Sequence, residues 1–418
     1  MSKKNKVINL SELTLSALAN SIVSAVGYSI AVENIETNFN LTELDMSLVM
    51  VEINSYLEEN GATHTIYEEL LHLILSSDNL QAAIRFVCLQ MLLNGNINRL
   101  ETQKFPYPYY QKILQVIEMQ GRGVRQLNLK GIWLKEDNMG SMFRIVKSLP
   151  SLVKLVIPYI ATDDLMYHIK LYQKNLLHLD VSGETDITDI GIEYLCCSDV
   201  SRCLTIVDIG TLGEENVCHE DIASLLTHIP NLRSLGCYSF VGKAVQYVIE
   251  KLDANFVSKL QYLHDTQTKL NTMNAIASAC PDLKLIYLDS PEPNVLHKLT
   301  SLRNLQRLKI YKFNCSEIYH VLKRIGPQLR HLTCMKGSNV LDVGIIIQNC
   351  PNLIDLDFYM MDELTCLTNE NFNQLQSLEI LNSPMSSTVL RELICKCHRT
   401  VRRLAVDMVP FTDYEMAR

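Results

Sequence analysis

Two short segments of this chain hold residue types that could perform chemistry. The first is Cys395-Lys396-Cys397-His398, in which two thiols and an imidazole could serve as zinc ligands. The second is the acidic segment 214–221, where Cys218 adjoins His219, the pair of groups that cysteine nucleophiles use. Adjacent residues of a helix point about 100° apart, so neither segment brings its groups together. We therefore expect neither a metal site nor a nucleophile–base pair there.

The rest of the sequence contains none of the motifs that mark common catalytic sites. It has no Gly-x-x-x-x-Gly-Lys phosphate loop, no Gly-x-Ser-x-Gly turn, no His-Glu-x-x-His pair and no Cys-x-x-Cys couple at zinc spacing. We expect that the protein is not an enzyme and that it uses no cofactor and no metal ion.

The elements that must position any functional side chain come from one repeated phrase. An aliphatic residue, two variable residues, an aliphatic, one variable residue and an aliphatic recur twelve times, at spacings of 22 to 28 residues. These intervals match the period of about 20–29 residues in leucine-rich repeats, whose units each supply one parallel strand and one return segment. The phrases begin at Val124, Leu152, Leu176, Leu204, Leu232, Leu260, Leu283, Leu305, Leu329, Leu353, Leu375 and Val401.

Each phrase predicts a short strand with one buried side. Because side chains alternate across a strand, the fourth and sixth residues, such as Leu127 and Leu129, point inward and their neighbours point outward. The return segments have helical spacing, and prolines such as Pro281 and Pro351 are expected to end them before the next strand. Long return segments behind short strands make such an array curve, with the strands on its concave side.

The sequence therefore predicts an α/β fold, a leucine-rich-repeat solenoid with a curved parallel sheet and outer helices, preceded by an α-helical N-terminal region. Residues 121–418 hold about twelve repeats. Residues 1–120 hold no such phrase and read as helices at about 10–30, 44–58, 66–76 and 79–93. The simplest role for this region is a cap that shields the first strand of the array.

Cysteines within the repeats resemble those of a known subclass. Segments 187–196 (Ile-Thr-Asp-Ile-Gly-Ile-Glu-Tyr-Leu-Cys) and 350–357 (Cys-Pro-Asn-Leu-Ile-Asp-Leu-Asp) look like cysteine-containing leucine-rich repeats. Such repeats form the substrate-binding halves of many ubiquitin-ligase receptors, so the resemblance implies protein recognition over about residues 121–418. One unit departs from the pattern, because Asp265 occupies an inward position.

Composition narrows the class of partner and the compartment. The formal net charge of −8 and the isoelectric point near 5.8 argue against nucleic acid as the main partner. Most of the thirteen cysteines fall where a small buried group is needed, for example Cys237 and Cys334 at the inward sixth position. We expect free thiols and a cytoplasmic or nuclear protein, because a secreted receptor fragment would need them paired.

The first helix allows two interpretations. Residues 13–32 carry no charge and follow Lys3, Lys4 and Lys6, as in a signal peptide or a membrane anchor. Several serines interrupt the run, and its spacing favours an amphipathic helix of a soluble domain, so we expect no membrane contact. The apolar face of that helix is expected to contain Leu15, Leu18, Ala19, Ile22 and Val26.

The same helix carries Thr14-Leu15-Ser16-Ala17-Leu18-Ala19-Asn20-Ser21-Ile22-Val23, which is similar to an elongin-binding box. The resemblance implies that Leu15 fills a pocket of the adaptor, that Ala19 stands where a cysteine is usual and allows close approach, and that Val23 extends the contact. A box, a helical stretch and cysteine-type repeats in this order resemble the zygote-defective (Zyg) family of cullin–RING substrate receptors. That likeness implies an elongin adaptor and a cullin as partners.

Two other functional interpretations remain open. Leu41-Thr42-Glu43-Leu44, followed by Ile53-Asn54-Ser55-Tyr56-Leu57, resembles the opening of an F-box, which would imply a different adaptor. Alternatively, the chain is an adaptor-free leucine-rich-repeat interaction scaffold with no role in ubiquitin transfer.

All three interpretations place a protein partner on the concave strand surface. Outward positions of neighbouring strands predict a patch of aromatic and thioether side chains, the types that dominate protein interfaces. The predicted contact residues are Tyr238, Tyr287, Tyr311, Met335 and Tyr359. Outward acids such as Asp289 and Asp357 suggest that the partner has some basic character.

Overall fold

The computed structural model describes residues 10–36, 48–94, 97–102, 105–157, 159–183, 186–210 and 217–407. The chain divides into two compact units, Met1–Leu204 and Thr205–Arg418. Both units are built from parallel strands with helical return segments, and the first also contains the N-terminal helices.

The first unit begins with four helices that pack on one another. Ala19, Ile22 and Val26 of the first helix are buried against the third and fourth, as the predicted amphipathic face requires. By length and composition alone, Ser11–Ile30, with a mean hydropathy of 1.4, could also cross a membrane. The helices are α1 (Leu10–Glu36), α2 (Leu48–Glu59), α3 (His64–Leu75) and α4 (Ala82–Leu92).

Among its described residues, the first unit also contains four parallel strands and four further α-helices. The central residues of the strands lie in register, and all four are buried leucines. The strands are β1 (Arg99–Glu101), β2 (Gln126–Asn128), β3 (Lys154–Val156) and β4 (His178–Asp180). The helices are α5 (Tyr110–Gln120), α6 (Met139–Ser148), α7 (Asp163–Tyr172) and α8 (Asp189–Cys196).

The strand β1 was not predicted from the sequence. It belongs to an incomplete phrase, with Ile97 and Leu100 at the first and fourth positions but Thr102 at the sixth. Thr102 is nevertheless buried, because both its amide N–H and its hydroxyl donate to the carbonyl oxygen of Asn128, at 2.9 and 3.2 Å. Parallel strands therefore begin before residue 121, and the domain boundary at residue 120 stays a prediction.

The second unit holds a seven-stranded parallel sheet and a small second sheet. The large sheet runs in the order β6-β7-β8-β9-β11-β13-β14, and β10 pairs with β12. The strands are β5 (Ile206–Asp208), β6 (Tyr262–Thr266), β7 (Leu285–Asp289), β8 (Arg307–Asn314), β9 (His331–Ser338), β10 (Val340–Asp342), β11 (Asp355–Tyr359), β12 (Glu363–Thr365), β13 (Ser377–Leu381) and β14 (Arg403–Val406).

Helices form most of the return segments of the second unit, although the segment between β11 and β13 contains the short strand β12 and no helix. Between β7 and β8, a 3₁₀ segment, Leu296–Ser301, takes their place. Two helices end two residues before Pro281 and Pro351, as predicted. The helices are α9 (His219–His228), α10 (Val241–Tyr247, continued by the π-helical Val248–Leu252), α11 (Leu270–Ala279), α12 (Cys315–Ile325), α13 (Val343–Asn349) and α14 (Ser387–Cys397).

Strict alternation along the strands confirms the predicted leucine-rich-repeat fold. In β8, for example, Leu308 and Ile310 are buried, whereas Arg307, Lys309 and Tyr311 point outward. The same pattern repeats in register from β6 to β13. The predicted α/β solenoid is therefore present, with helices behind parallel strands.

One repeat of the second unit breaks this alternation and corrects two predictions. Tyr238, predicted to point outward, is fully buried, and its hydroxyl donates to the carbonyl oxygen of Val217 at 3.3 Å. Cys237, predicted to point inward, is exposed. The cause is Gly236, whose φ of 57° turns the chain out of the extended conformation. Isolated bridges take the place of a strand in this repeat: Ser234 pairs with Ile206 of β5 and with Tyr262 of β6, and Phe240 pairs with Asp265 of β6.

Asp265 is the second departure from an ideal repeat. It occupies an inward position of β6, as the sequence indicated, and has no exposed surface. Its Oδ1 accepts a hydrogen bond from the Gly242 N–H and its Oδ2 accepts one from the Thr268 hydroxyl, both at 2.7 Å. A buried carboxyl is thus held between β6 and the start of α10.

Candidate protein-binding face

The outward side chains of the seven-stranded sheet form a surface that we call the strand face, defined as the outward residues of β6, β7, β8, β9, β11, β13 and β14. Because the strands are parallel and in register, equivalent positions line up in three rows that run across the strands. The first row contains Arg307, the middle row Lys309 and the third row Tyr311.

Four of the five predicted contact residues lie on the strand face. Tyr311, Met335 and Tyr359 are adjacent members of the third row, on β8, β9 and β11. Tyr287 belongs to the middle row, on β7. All four are half-buried, so each exposes part of its side chain on the strand face. Tyr238 does not belong to this set, because Gly236 turns its ring into the core.

An aromatic stack lies at one end of the middle row. The rings of His264 and Tyr287 are stacked, with centroids 4.2 Å apart, and Lys309 Nζ lies 4.5 Å from the centroid of Tyr287. Burial lowers the pKa of His264, although its contact with the Cys237 carbonyl oxygen and the charge of Asp289 oppose that effect. Burial, aided by the nearby Asp289, raises the pKa of Tyr287. The stack therefore presents a neutral aromatic surface with one cation above it.

Three carboxylates lie farther along the strand face. Asp355 and Asp357 belong to β11, and Glu379 belongs to β13. Burial raises the pKa of Asp357, and repulsion from Glu379 and Asp355 adds to the effect, although the Thr333 hydroxyl donates to its Oδ2 at 3.0 Å. Like charges are thus held close together, which favours the approach of a cation.

A cleft of about 530 Å³ joins the basic and acidic parts of the first and middle rows. Arg307 and Lys309 lie on one side of it, His331 and Thr333 line its centre, and the three carboxylates lie beyond them. At the far end, Arg403 Nη2 lies 3.5 Å from Glu379 Oε2. The arrangement can hold an extended chain of mixed charge by hydrogen bonds and ion pairs.

The third row borders this cleft with side chains of lower polarity. Burial raises the pKa of Tyr359 to about 12, and the charges of Asp357 and Glu379 contribute. Its hydroxyl therefore remains a hydrogen-bond donor at physiological pH. Tyrosine offers a large contact area with few rotatable bonds, and methionine offers an apolar side chain whose shape adapts to its neighbour. Both properties suit a binding surface.

The predicted adaptor-binding residues are only partly accessible. Ala19 is 5% exposed, because it packs inside the helical region of the first unit, which corrects the expectation that a partner could approach it closely. Leu15 and Val23 are half-buried, and Leu13, two residues before Leu15, is 51% exposed. The adaptor roles of Leu15 and Val23 stay predictions. The F-box-like Leu41–Leu44 segment lies outside the described residues.

Among the described residues, no group of three His, Cys, Asp or Glu side chains is placed so that it could hold a metal ion. Cys397 is buried, whereas Cys395 and His398 are exposed. Burial and hydrogen bonds with Glu220 and Asp221 raise the pKa of Cys218 to about 11, which disfavours the nucleophilic thiolate. Residues 214–216 of the acidic segment lie outside the described residues.

All thirteen cysteines belong to the described residues, and none of them forms a disulfide bond. Cys334 fills its predicted inward position, and burial raises its pKa well above the ordinary value. In the core of the sheet it behaves as a small apolar group.

Several solved structures are similar to this chain. The yeast Rad7–Elc1 complex matches with 14% identity over 94% of this chain and 91% of the other, at a TM-score of 0.47. An internalin of Listeria monocytogenes matches with 15% identity over 78% and 86%, at 0.41. A leucine-rich-repeat protein of Leptospira interrogans matches with 15% identity over 82% and 86%, at 0.38. No protein-family model and no curated protein sequence matches the chain.

Proposed function

We propose that the chain is a protein-recognition scaffold whose strand face binds a polypeptide partner. The observation that carries this proposal is the unbroken row of Tyr311, Met335 and Tyr359 beside the charged cleft. Aromatic and thioether side chains supply the energetic centre of an interface, and a polar margin adds specificity. The scaffold performs no bond chemistry on its partner but holds it in place.

Removing the two tyrosines of the third row tests the proposal. We expect the double substitution Tyr311→Ala and Tyr359→Ala to weaken partner capture at least tenfold, because two aromatic contacts are lost together. The melting temperature should change little, because both side chains are half-buried on the strand face and do not belong to the core between the sheet and the helices. Photo-cross-linking from position 335, followed by isolation of the attached polypeptide and a binding titration, provides the measurement.

Tyr28 and Tyr56, which are 75% and 58% exposed in the first unit, supply the matched control. Replacing both with alanine should leave capture unchanged. If the third-row variant captures the partner as well as the parent chain does, the proposed face is wrong. If its melting temperature falls sharply, the tyrosines serve packing and the proposal fails for that reason.

We further propose that the captured partner is a substrate of a cullin–RING ubiquitin ligase. In this proposal, α1 docks an elongin-type adaptor through Leu15 and Val23, and the strand face brings the substrate close to the ubiquitin-charged enzyme. The box-like sequence of α1 and the partial exposure of these two side chains support the proposal. Because Ala19 is buried, the adaptor would contact α1 through the partly exposed side chains of Leu15 and Val23 and not through Ala19.

Reconstitution with purified adaptors tests this finer proposal. We expect the full chain to retain elongin, but not an F-box adaptor, on size-exclusion chromatography, and Leu15→Asp to abolish retention by placing a charge in the contact. Ser24→Asp, which adds the same charge at an exposed position of α1, is the matched control. Absence of any retained adaptor would contradict the ligase role and favour the adaptor-free scaffold.

A further inference from the structure

The cleft on the strand face specifies the chemistry of what it binds. We propose, building on the proposed protein-recognition function, that it binds an extended polypeptide segment in which an acidic and a basic side chain lie three or four residues apart. The acidic side chain pairs with Arg307 and Lys309, and the basic one pairs with Asp355, Asp357 and Glu379.

Charge is segregated by strand rather than mixed along the cleft. The two cations at one end of the cleft, Arg307 and Lys309, belong to β8, the carboxylates Asp355 and Asp357 belong to β11, and a third cation, Arg403 of β14, lies at the opposite end. The strand between them, β9, contributes His331 and Thr333. A bound segment that crosses the strands therefore meets positive charge first and negative charge two strands later.

The spacing of the strands sets the spacing of the partner's charges. Neighbouring strands lie about 4.8 Å apart, so β11 is about 10 Å from β8, and β13 is about 14 Å from it. An extended polypeptide advances about 3.3 Å per residue. Three residues span the distance from β8 to β11, and four residues span the distance from β8 to β13, where Glu379 lies.

The acidic end is only partly neutralised by its neighbours. Asp355 contacts His331 Nδ1 at 2.5 Å, which adds positive charge only when the imidazole is protonated. The side chain of Arg403 is 72% exposed and touches Glu379 at 3.5 Å, so it is free to move aside. Asp357 accepts its hydrogen bond from Thr333, a neutral donor. A guanidinium or ammonium group from the partner would relieve the repulsion among the three carboxylates.

At the basic end of the cleft, the aromatic stack of His264 and Tyr287 supports the side chain of Lys309. Lys309 Nζ lies over the ring of Tyr287, which keeps the ammonium group above the sheet surface. Arg307 is exposed on the same strand and can form two parallel hydrogen bonds with a carboxylate. Leu285, the partner of Arg307 on the neighbouring strand, also lines the cleft and offers an apolar contact to the stem of the bound segment's acidic side chain.

Labelled peptides of defined charge spacing test the proposal. The probes share one serine–leucine background and carry one Glu and one Arg, in both orders, separated by one, three, four or seven positions. Fluorescence anisotropy with the full chain, at a salt concentration of about 50 mM to limit screening, gives the dissociation constants. We expect the peptides with spacings of three or four to bind at least tenfold more tightly than the others, and Lys309→Gln and Asp357→Asn each to weaken them about fivefold.

Matched variants keep the result specific. Lys323→Gln and Glu363→Gln remove the same charges at exposed positions away from the cleft and should leave binding unchanged. Equal affinity for all spacings, affinity that follows total charge alone, or indifference to Lys309→Gln and Asp357→Asn would each overturn the charge-spacing rule. The Tyr311 and Tyr359 variants report on the face itself, so the rule can fail while the proposed function stands.

Discussion

Replacing Asp265 with asparagine should stabilise the chain at pH 8 by up to about 4 kcal/mol and should flatten the fall in stability between about pH 4 and pH 7. Burial raises the pKa of Asp265 to about 7, although hydrogen bonds from Thr268 and Gly242 and the charge of Lys243 favour the ionised form. Desolvation outweighs these contacts because the carboxyl has no exposed surface. The asparagine amide can accept from the Gly242 N–H and donate to the Thr268 oxygen, as the protonated acid does.

The direction of the pH effect follows from the raised pKa. Below about pH 4, Asp265 is protonated in both the folded and the unfolded chain, so it does not alter the balance. Between about pH 4 and pH 7 the unfolded chain has released the proton and the folded chain still holds it, so the free energy of unfolding falls as pH rises. A shift of about three pKa units corresponds to about 4 kcal/mol. Asparagine carries no proton to release and avoids this loss.

Urea denaturation of the parent chain and of Asp265→Asn at several pH values from 4 to 8 measures the difference. Asp282→Asn, an exposed carboxyl in the turn after α11, removes the same charge and should leave the slope with pH unchanged. Asp265→Ala should destabilise the chain at every pH, because it leaves the buried Gly242 N–H without its acceptor. A parallel pH profile for the parent chain and Asp265→Asn would show that the carboxyl remains ionised.

Sequence periodicity predicts the fold because, in parallel strands that are in register, residues at the same position of successive repeats lie side by side in one row. Leu308, Leu332 and Leu356 all occupy the fourth position of their phrases, and all three are buried in register. The same alignment of repeat positions predicts that Tyr311, Met335 and Tyr359 lie side by side on neighbouring strands. These predictions need only the alternation of side chains and the repeat length.

The sequence could not predict features that depend on local exceptions to the repeat. The strand β1 does not match the aliphatic phrase, because its sixth position holds Thr102. A polar residue is tolerated at this buried position because the Asn128 carbonyl oxygen accepts a hydrogen bond from its hydroxyl. Ala19 satisfies both an adaptor-binding pattern and a core pattern, and only the packing of α1 on α3 and α4 distinguishes the two. Within the site, the repeat positions put Lys309 and Asp357 in one row, but the cleft between them and the contact of Arg403 with Glu379 become visible only in the folded sheet.

The repeat at 232–238 shows how a single residue produces such an exception. Introducing a side chain there, by Gly236→Ala, should lower the free energy of unfolding by about 2–4 kcal/mol. The backbone of Gly236 is left-handed, with a φ of 57°, a conformation that alanine adopts only with strain. A Cβ at this position would also lie 2.0 Å from Cγ of Asp208, too close for any real contact.

Gly236→Ala and Asp208→Ala should have non-additive effects on the free energy of unfolding, because both substitutions disturb the same Asp208 carboxylate. The Asp208 carboxylate accepts from the Gly210 N–H at 2.9 Å and from the Cys237 N–H at 3.2 Å. Gly236→Ala must displace that carboxylate, so it sacrifices the same hydrogen bonds that Asp208→Ala removes. The double variant should therefore lose about 1–2 kcal/mol less than the sum of the two single losses. Urea denaturation of all four chains measures this coupling, and simple additivity would mean that the new methyl group is accommodated without moving Asp208.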